Sequence, residues 1–154
     1  MSNKKVLIFC SSYHTSSTLS LLQGIQALNP KYEVKIIHLE TNSSIPNISE
    51  YDFIGFASGI YYGKSSEKIY NLMGKLNIEN KSCFSIITAG YPSDRYKNVL
   101  KDTIRNKKGI FLGGYICKGH DLMMGDLNPG HPNNIEKREA KEFLDKLVNH
   151  WKLK

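Results

Sequence analysis

The sequence predicts an α/β chain built on a doubly wound parallel sheet with helices on both faces, and three observations carry that expectation. Short apolar runs alternate five times with segments of helical periodicity along 154 residues. The runs are almost continuously apolar, as strands buried on both faces require, where a half-exposed strand would alternate. No repeat or linker breaks the series, and right-handed crossovers between parallel strands then place helices on both faces. A chain of this length fits one domain with a workable core, residues 1–154.

The first run, Val6 to Cys10, leads into a polar turn, Ser11 to Thr18. Leu21, Leu22, Ile25 and Leu28 follow at helical spacing, and Asn29-Pro30 closes that helix because the residue before a proline avoids the helical region. Glu33 to Leu39, rich in β-branched residues, reads as a second strand with His38 structural, followed by a polar loop from Glu40 to Glu50. Phe53 to Ala57 is a third strand, Ser58 to Lys64 a loop, and Ile69, Leu72, Met73 and Leu76 one apolar helical stripe. Ser82 to Thr88 is a fourth strand, running into the turn Ala89 to Asp94. Next comes a basic helix with Tyr96, Val99, Leu100, Thr103 and Ile104 on its inner side. The fifth strand, Gly109 to Cys117, contains two adjacent glycines, a sign of a bulge or a close backbone approach. After a loop to Pro132, a last helix starts at a cap on Asn133 or Asn134 and buries Ala140, Phe143, Leu144, Leu147 and Trp151.

The formal charge of +7 is largely local: between Asp94 and Lys118 seven basic residues stand against two acidic ones, a net of +5. Aromatics do not interleave with this segment as in a nucleic-acid reader, so it reads first as a solvated helix face and second as a docking patch for an acidic partner. No apolar run reaches membrane-spanning length, and the start MSNKKVLIF has too short an apolar stretch for a signal peptide. Three cysteines, Cys10, Cys83 and Cys117, form no paired framework. These features lead to the expectation of a cytoplasmic protein.

The turn from Ser11 to Thr18 holds six serine and threonine hydroxyls and a histidine, with no carboxylate, lysine or arginine. Hydroxyls and the unpaired amides of a helix start are what a phosphate needs, so this reads as a phosphate cradle; plain helix capping by serine is the competing reading. The lysine of a P-loop and the glycines of a dinucleotide turn are missing, and no basic residue follows Cys10 until Lys31, as a cysteine-dependent phosphatase would need. In Ser58 to Lys64, Gly59 and Gly63 bracket Tyr61 and Tyr62, and Tyr91 lies in the turn after the fourth strand. Ligands of doubly wound sheets bind at the carboxyl ends of the strands, so three unusual turns would share one edge. A phosphate cradle beside flat amphipathic rings calls for a planar ligand with a phosphate tail.

At this point the sequence resembles the flavodoxin family of FMN-binding electron carriers, over nearly the whole chain. The nearest subgroup carries a SxHxGNT phosphate loop, a GSGIYFGK loop and a late CKGxD segment ending in GHPN. Here these read SYHTSST from Ser12, ASGIYYGK from Ala57, CKGHD from Cys117 and GHPN from Gly130. The resemblance implies a three-layer sandwich around a five-stranded parallel sheet of order 2-1-3-4-5, with FMN as cofactor. By position, Ser12, His14, Thr15, Ser16, Ser17 and Thr18 would hold the phosphate. Ser58, Gly59, Ile60, Tyr61, Tyr62 and Gly63 would flank the isoalloxazine together with Thr88, Ala89, Gly90 and Tyr91, and Cys117, Gly119 and Asp121 would complete the site. The Gly63 peptide corresponds to the one that reorients toward flavin N5 on reduction. The glycine and asparagine of the family's phosphate loop are Ser16 and Ser17 here, and Lys64 stands where some flavodoxins carry an acid. The implied role is electron transfer between redox partner proteins, here with an acidic docking face.

Other readings of the same residues are an FMN-dependent NAD(P)H or quinone reductase, for which no second nucleotide fingerprint is visible, and a non-redox binding module of the same fold. A phosphoacceptor module would need an acidic cluster where Ser11 and Ser12 stand. A metal site from Cys117, His120, Asp121 and His131 lacks paired ligand spacing, and a Cys-His nucleophile lacks a feature to lower the thiol pKa.

Overall fold

The structure is a computed structural model and describes residues 4–12, 16–41, 44–121 and 125–150. Its sheet contains β1 (Lys5–Ser11), β2 (Glu33–His38), β3 (Phe53–Tyr61), β4 (Lys64–Ser65), β5 (Ser82–Ala89) and β6 (Ile110–Lys118). The five long strands are parallel in the order β2-β1-β3-β5-β6, which is 2-1-3-4-5 counted over those strands alone. The two-residue β4 was not expected; it pairs antiparallel with the end of β3.

The apolar runs work as double-sided strands. Along β1, Val6, Ile8 and Cys10 enter one core with α1 (Ser17–Ala27) and α5 (Asn134–His150), while Leu7 and Phe9 enter the other. That second core is closed by α2 (Glu67–Lys75) and α4 (Lys101–Asn106), through Ile69, Leu72, Met73 and Ile104. Gly55 is where the middle of the sheet admits the Phe84 ring: a Cβ there would stand 2.5 Å from ring carbon Cε2. Among the described residues no helix is long and apolar enough to cross a membrane.

Three details depart from the sequence reading. The basic segment is not one helix: α3 (Asp94–Lys97) stops and α4 restarts, because Lys101 N bonds Asn98 O at 3.1 Å and releases the Lys97 carbonyl to the buried Ser85 hydroxyl, 3.3 Å away. Ser58 to Tyr61, expected in a loop, continue β3. Ser17 and Thr18, expected in the turn, already lie in the first turn of α1.

Elsewhere the glycines of β6 act as expected. The register between β5 and β6 slips between Cys83 and Phe84, leaving Leu112 as the extra residue of a bulge, and a Cβ on Gly114 would stand 2.6 Å from the Lys97 carbonyl oxygen. The start of α5 is a reciprocal capping box: Glu136 N donates to Asn133 Oδ1 at 2.9 Å and Asn133 N to Glu136 Oε1 at 2.8 Å. The same carboxylate accepts from Lys118 N at 3.2 Å and pairs with His131 Nδ1 at 2.6 Å, so it also fixes the end of β6. Trp151 lies outside the described residues.

The three thiols are all buried, and burial pushes Cys83 and Cys117 up to about 12 and Cys10 higher still. An unfolded thiol loses its proton at about 8.5. The folded state therefore keeps protons that the unfolded chain releases: their contribution is complete below about pH 8.5 and is lost as pH rises toward 12. Native protein should leave all three thiols unlabelled by a thiol reagent at pH 9 and expose three in urea, and urea midpoints should fall steadily above pH 9. Rapid native labelling of Cys83 would contradict the buried placement.

Candidate functional site

The carboxyl ends of four parallel strands form one edge, and the register sets the order of residues along it. Ser11 pairs with Ser58, Gly59 with Thr88, and Thr88 with Cys117. Most of the hydroxyls here are buried and engaged. Thr18 Oγ1 lies 2.8 Å from Thr88 Oγ1, which ties the first turn of α1 to the end of β5. Ser17 Oγ accepts from His120 N at 2.9 Å, and Gly119 N donates to Ala89 O at 3.0 Å. Gly119 is the residue that permits this approach, since a Cβ would stand 3.0 Å from Thr88 Cβ and 3.2 Å from Ser17 Cβ. Asp121 bridges to Leu127, and Asn128 Nδ2 donates to Gly90 O at 2.7 Å, so the segment after β6 is folded back against the turn after β5.

The start of α1 differs from the other long helices. At α2 the cap Ser66 accepts from Lys68 N, and α5 has its capping box. At α1 the cap residue is Ser16, whose side chain makes no capping hydrogen bond, and no acidic residue stands in the first turn. Ser16 itself sits at φ 56° and ψ 31°, left-handed backbone that strains any residue with a Cβ. Its place in the loop is that of the glycine in the resembling motif, the residue that adopts this backbone most easily. His14 and Thr15 lie outside the described residues.

On the other side of the edge, β3 and β4 form a two-residue hairpin with Tyr62 and Gly63 at its tip, at φ 54° and 80°. Two successive positive φ values are the mark of the turn whose twist matches that of paired strands. Glycine suits such a position and tyrosine does not, so the Tyr62 backbone is strained while its ring is 90% exposed. Tyr91, in the turn after β5, is 63% exposed. Ile60 and Tyr61 are half-buried, and the Tyr61 phenol covers Gly59, where a Cβ would meet its oxygen at 2.8 Å. Ser58 Oγ donates to Gly59 O at 2.6 Å and accepts from Ser66 N at 2.9 Å, anchoring the base of the hairpin. Close by in sequence, the buried Ser65 hydroxyl has no partner.

The residue that sequence reasoning missed is Glu40. It lies just past β2, with its side chain 15% exposed, and its carboxylate accepts from Ser12 N at 2.5 Å and from Ser11 Oγ at 2.7 Å. Lys68 Nζ lies 3.4 Å and His38 Nε2 3.1 Å from it. His38 Nε2 also reaches Ser12 O at 3.0 Å, where the ring N–H donates. A carboxylate directly after a strand, on the edge where ligands bind, was the available signal.

Three of the four residues considered as metal ligands are otherwise engaged or buried. His120 pairs with Asp126, His131 with Glu136, and the Cys117 thiol is held protonated by burial. Among the described residues no group of three or more such side chains could hold a metal ion.

No family model matches the sequence. The uncharacterized protein MJ0298 of Methanocaldococcus jannaschii is 33% identical over 147 residues, which cover 86% of this chain and 98% of that protein. This chain belongs to the same family. Among solved structures, oxidised flavodoxin 1 from Bacillus cereus superposes with a TM-score of 0.72 at 13% identity, covering 97% of this chain and 100% of the other. Fusobacterium nucleatum flavodoxin bound to flavin mononucleotide gives 0.68 at 13% identity, covering 97% and 99%. The fold is therefore flavodoxin-like, and the edge just described is the carboxyl edge of that fold.

The donor set is compatible with a flavin that carries a phosphate: a helix start with hydroxyls and no acid in its first turn, and exposed tyrosines at two neighbouring turns. The left-handed backbone at Ser16 gives a direct test. Ser16→Gly should leave stability unchanged within about 0.5 kcal/mol or raise it, since the relief of strain offsets the added chain entropy. Ser16→Val should lower it by about 1–3 kcal/mol, because a β-branched residue is a true outlier there. Urea denaturation of the three proteins measures both.

Proposed function

We propose that this protein binds FMN without a covalent bond and carries electrons between protein partners. The observation that carries the reading is the hydroxyl-rich start of α1, where the Ser16 side chain makes no capping bond and no acid stands in the first turn, on the same sheet edge as Tyr62 and Tyr91. The flavin mononucleotide of the Fusobacterium nucleatum structure, a protein of the same fold, supports it. The bound flavin would supply the redox chemistry. The chain's own contribution is to bind and orient it. Ser12, Ser16, Ser17 and Thr18, with His14 and Thr15, form the phosphate loop, and the helix start favours the dianion. Ser58, Gly59, Ile60 and Tyr61 support the hairpin that carries Tyr62 and Gly63. Thr88, Ala89, Gly90 and Tyr91 form the opposite wall, with Cys117, Gly119 and Asp121 behind it.

The partner reading follows from charge. Lys64, Arg95 and Lys118 are exposed near this edge, and none of them forms an ion pair among the described residues. An acidic face on the donor or acceptor would be steered to it, and the association should weaken as salt rises.

Purified protein mixed with FMN should bind one equivalent, seen as shifted flavin absorption and quenched flavin fluorescence. Absence of binding in excess FMN would overturn the reading. Consumption of NAD(P)H by the protein alone would turn the carrier into a reductase. Lys64 tests the electrostatics: a cation next to the hairpin tip stabilises the reduced, anionic flavin, so Lys64→Glu should make the second reduction potential more negative in a redox titration. An unchanged or raised potential would remove Lys64 from the account.

A further inference from the structure

Resting on the FMN reading, we propose that Glu40 is the positioning residue of the phosphate cradle, and that it couples the cradle to the hairpin beneath the flavin ring. The sheet cannot place the cradle by itself. The last residue of β1 paired with β2 is Cys10, opposite His38, and beyond Leu39 N, which donates to Cys10 O at 2.8 Å, the ladder ends. Ser12, the first residue of the loop, has both main-chain polar groups taken by side chains instead: its N–H by Glu40 and its carbonyl by His38. The peptide from which the cradle departs is thus oriented by the two residues that flank Leu39.

The second half of the inference follows from hydroxyl chemistry. Ser11 Oγ lies within hydrogen-bond distance of both Glu40 Oε2, at 2.7 Å, and Ser66 Oγ, at 2.6 Å, but a hydroxyl has one proton. The carboxylate is the stronger acceptor and takes it. Ser66 Oγ, against Ser11 Oγ, also accepts from Lys68 N at 3.2 Å. One line of contacts runs from the first turn of α2 through Ser66 and Ser11 to Glu40, and Ser66 N is bonded to Ser58 Oγ at the base of the hairpin. Glu40 thus touches both the first amide of the loop and the hydroxyl line that reaches the base of the hairpin.

A negative charge near an anion site could instead act by repulsion. The geometry favours positioning. Both carboxylate oxygens are engaged by donors, and Lys68 Nζ stands 3.4 Å away to balance the charge. The amide that Glu40 holds is the first of the loop, whereas the helix start lies further on, at Ser16 to Thr18.

The experiment compares FMN with riboflavin, which has the same ring system and no phosphate, on wild type, Glu40→Ala and Glu40→Gln. Glu40→Ala should weaken FMN about tenfold or more, the usual cost of removing a group that orients a ligand-binding one, while riboflavin changes by less than about threefold. Glu40→Gln keeps an acceptor for Ser12 N–H and should recover most of the FMN affinity. In the flavin-free protein, hydrogen exchange at the Ser12 and Lys68 amides should quicken in Glu40→Ala. Three results overturn the proposal: tighter FMN binding in both variants, which means repulsion; equal weakening of both flavins, which means a general fold defect; or unchanged exchange at both amides. Wild type that binds no FMN would sink the cofactor reading, and the exchange result would still decide whether Glu40 positions the loop.

Discussion

A parallel strand buried on both faces must end somewhere, and where it ends its next peptide groups lose their partners. Everything at the carboxyl edge of this protein is arranged around that constraint. Val6 to Cys10 are fully buried in β1, an inner strand between β2 and β3, and the chain that leaves it passes from a complete backbone ladder to none within two residues. Water cannot reach Ser11 or Ser12, which are 0% and 3% exposed. Their polar groups are met by a carboxylate, an imidazole and a neighbouring hydroxyl, and an exit direction for the loop is set as a by-product.

The same edge holds two non-glycine residues in left-handed backbone, Ser16 before α1 and Tyr62 at the hairpin tip. Both positions have a plain local reason. Ser16 is where the chain swings from loop into helix, and Tyr62 is where β3 doubles back through β4. Strain of this kind persists only where the surroundings over-determine it, and here the surroundings are the anchored ends: Thr18 against Thr88 on one side, Ser58 against Ser66 on the other.

How much of this was legible in the sequence depended on whether the cause was local. The five long strands followed from apolar runs, which need no distant information, and their order from the resemblance to the flavodoxin family. The bulge in β6 was legible from Gly113 and Gly114. The break between α3 and α4 was not, because its cause is the Ser85 hydroxyl, twelve residues away and across a layer boundary. The extension of β3 to Tyr61 was hidden because its partner β4 is two residues long, too short to leave a periodic pattern. Glu40 was read as the first residue of a polar loop. Its role comes from contacts with Ser11, Ser12 and Lys68, spaced 28 or 29 residues away in each direction, and no spacing rule reports such a meeting.

The bulge at Leu112 has a consequence beyond its own strand. β6 is the outer strand of the sheet on its side and has Ile110 41% exposed at one end, a combination that invites another chain to pair along it. An extra residue in mid-strand shifts the spacing of donors and acceptors along that rim and adds local twist, so an incoming straight strand finds its register broken after three or four residues. The irregularity that seats Gly114 against the Lys97 carbonyl also makes the rim a poor template.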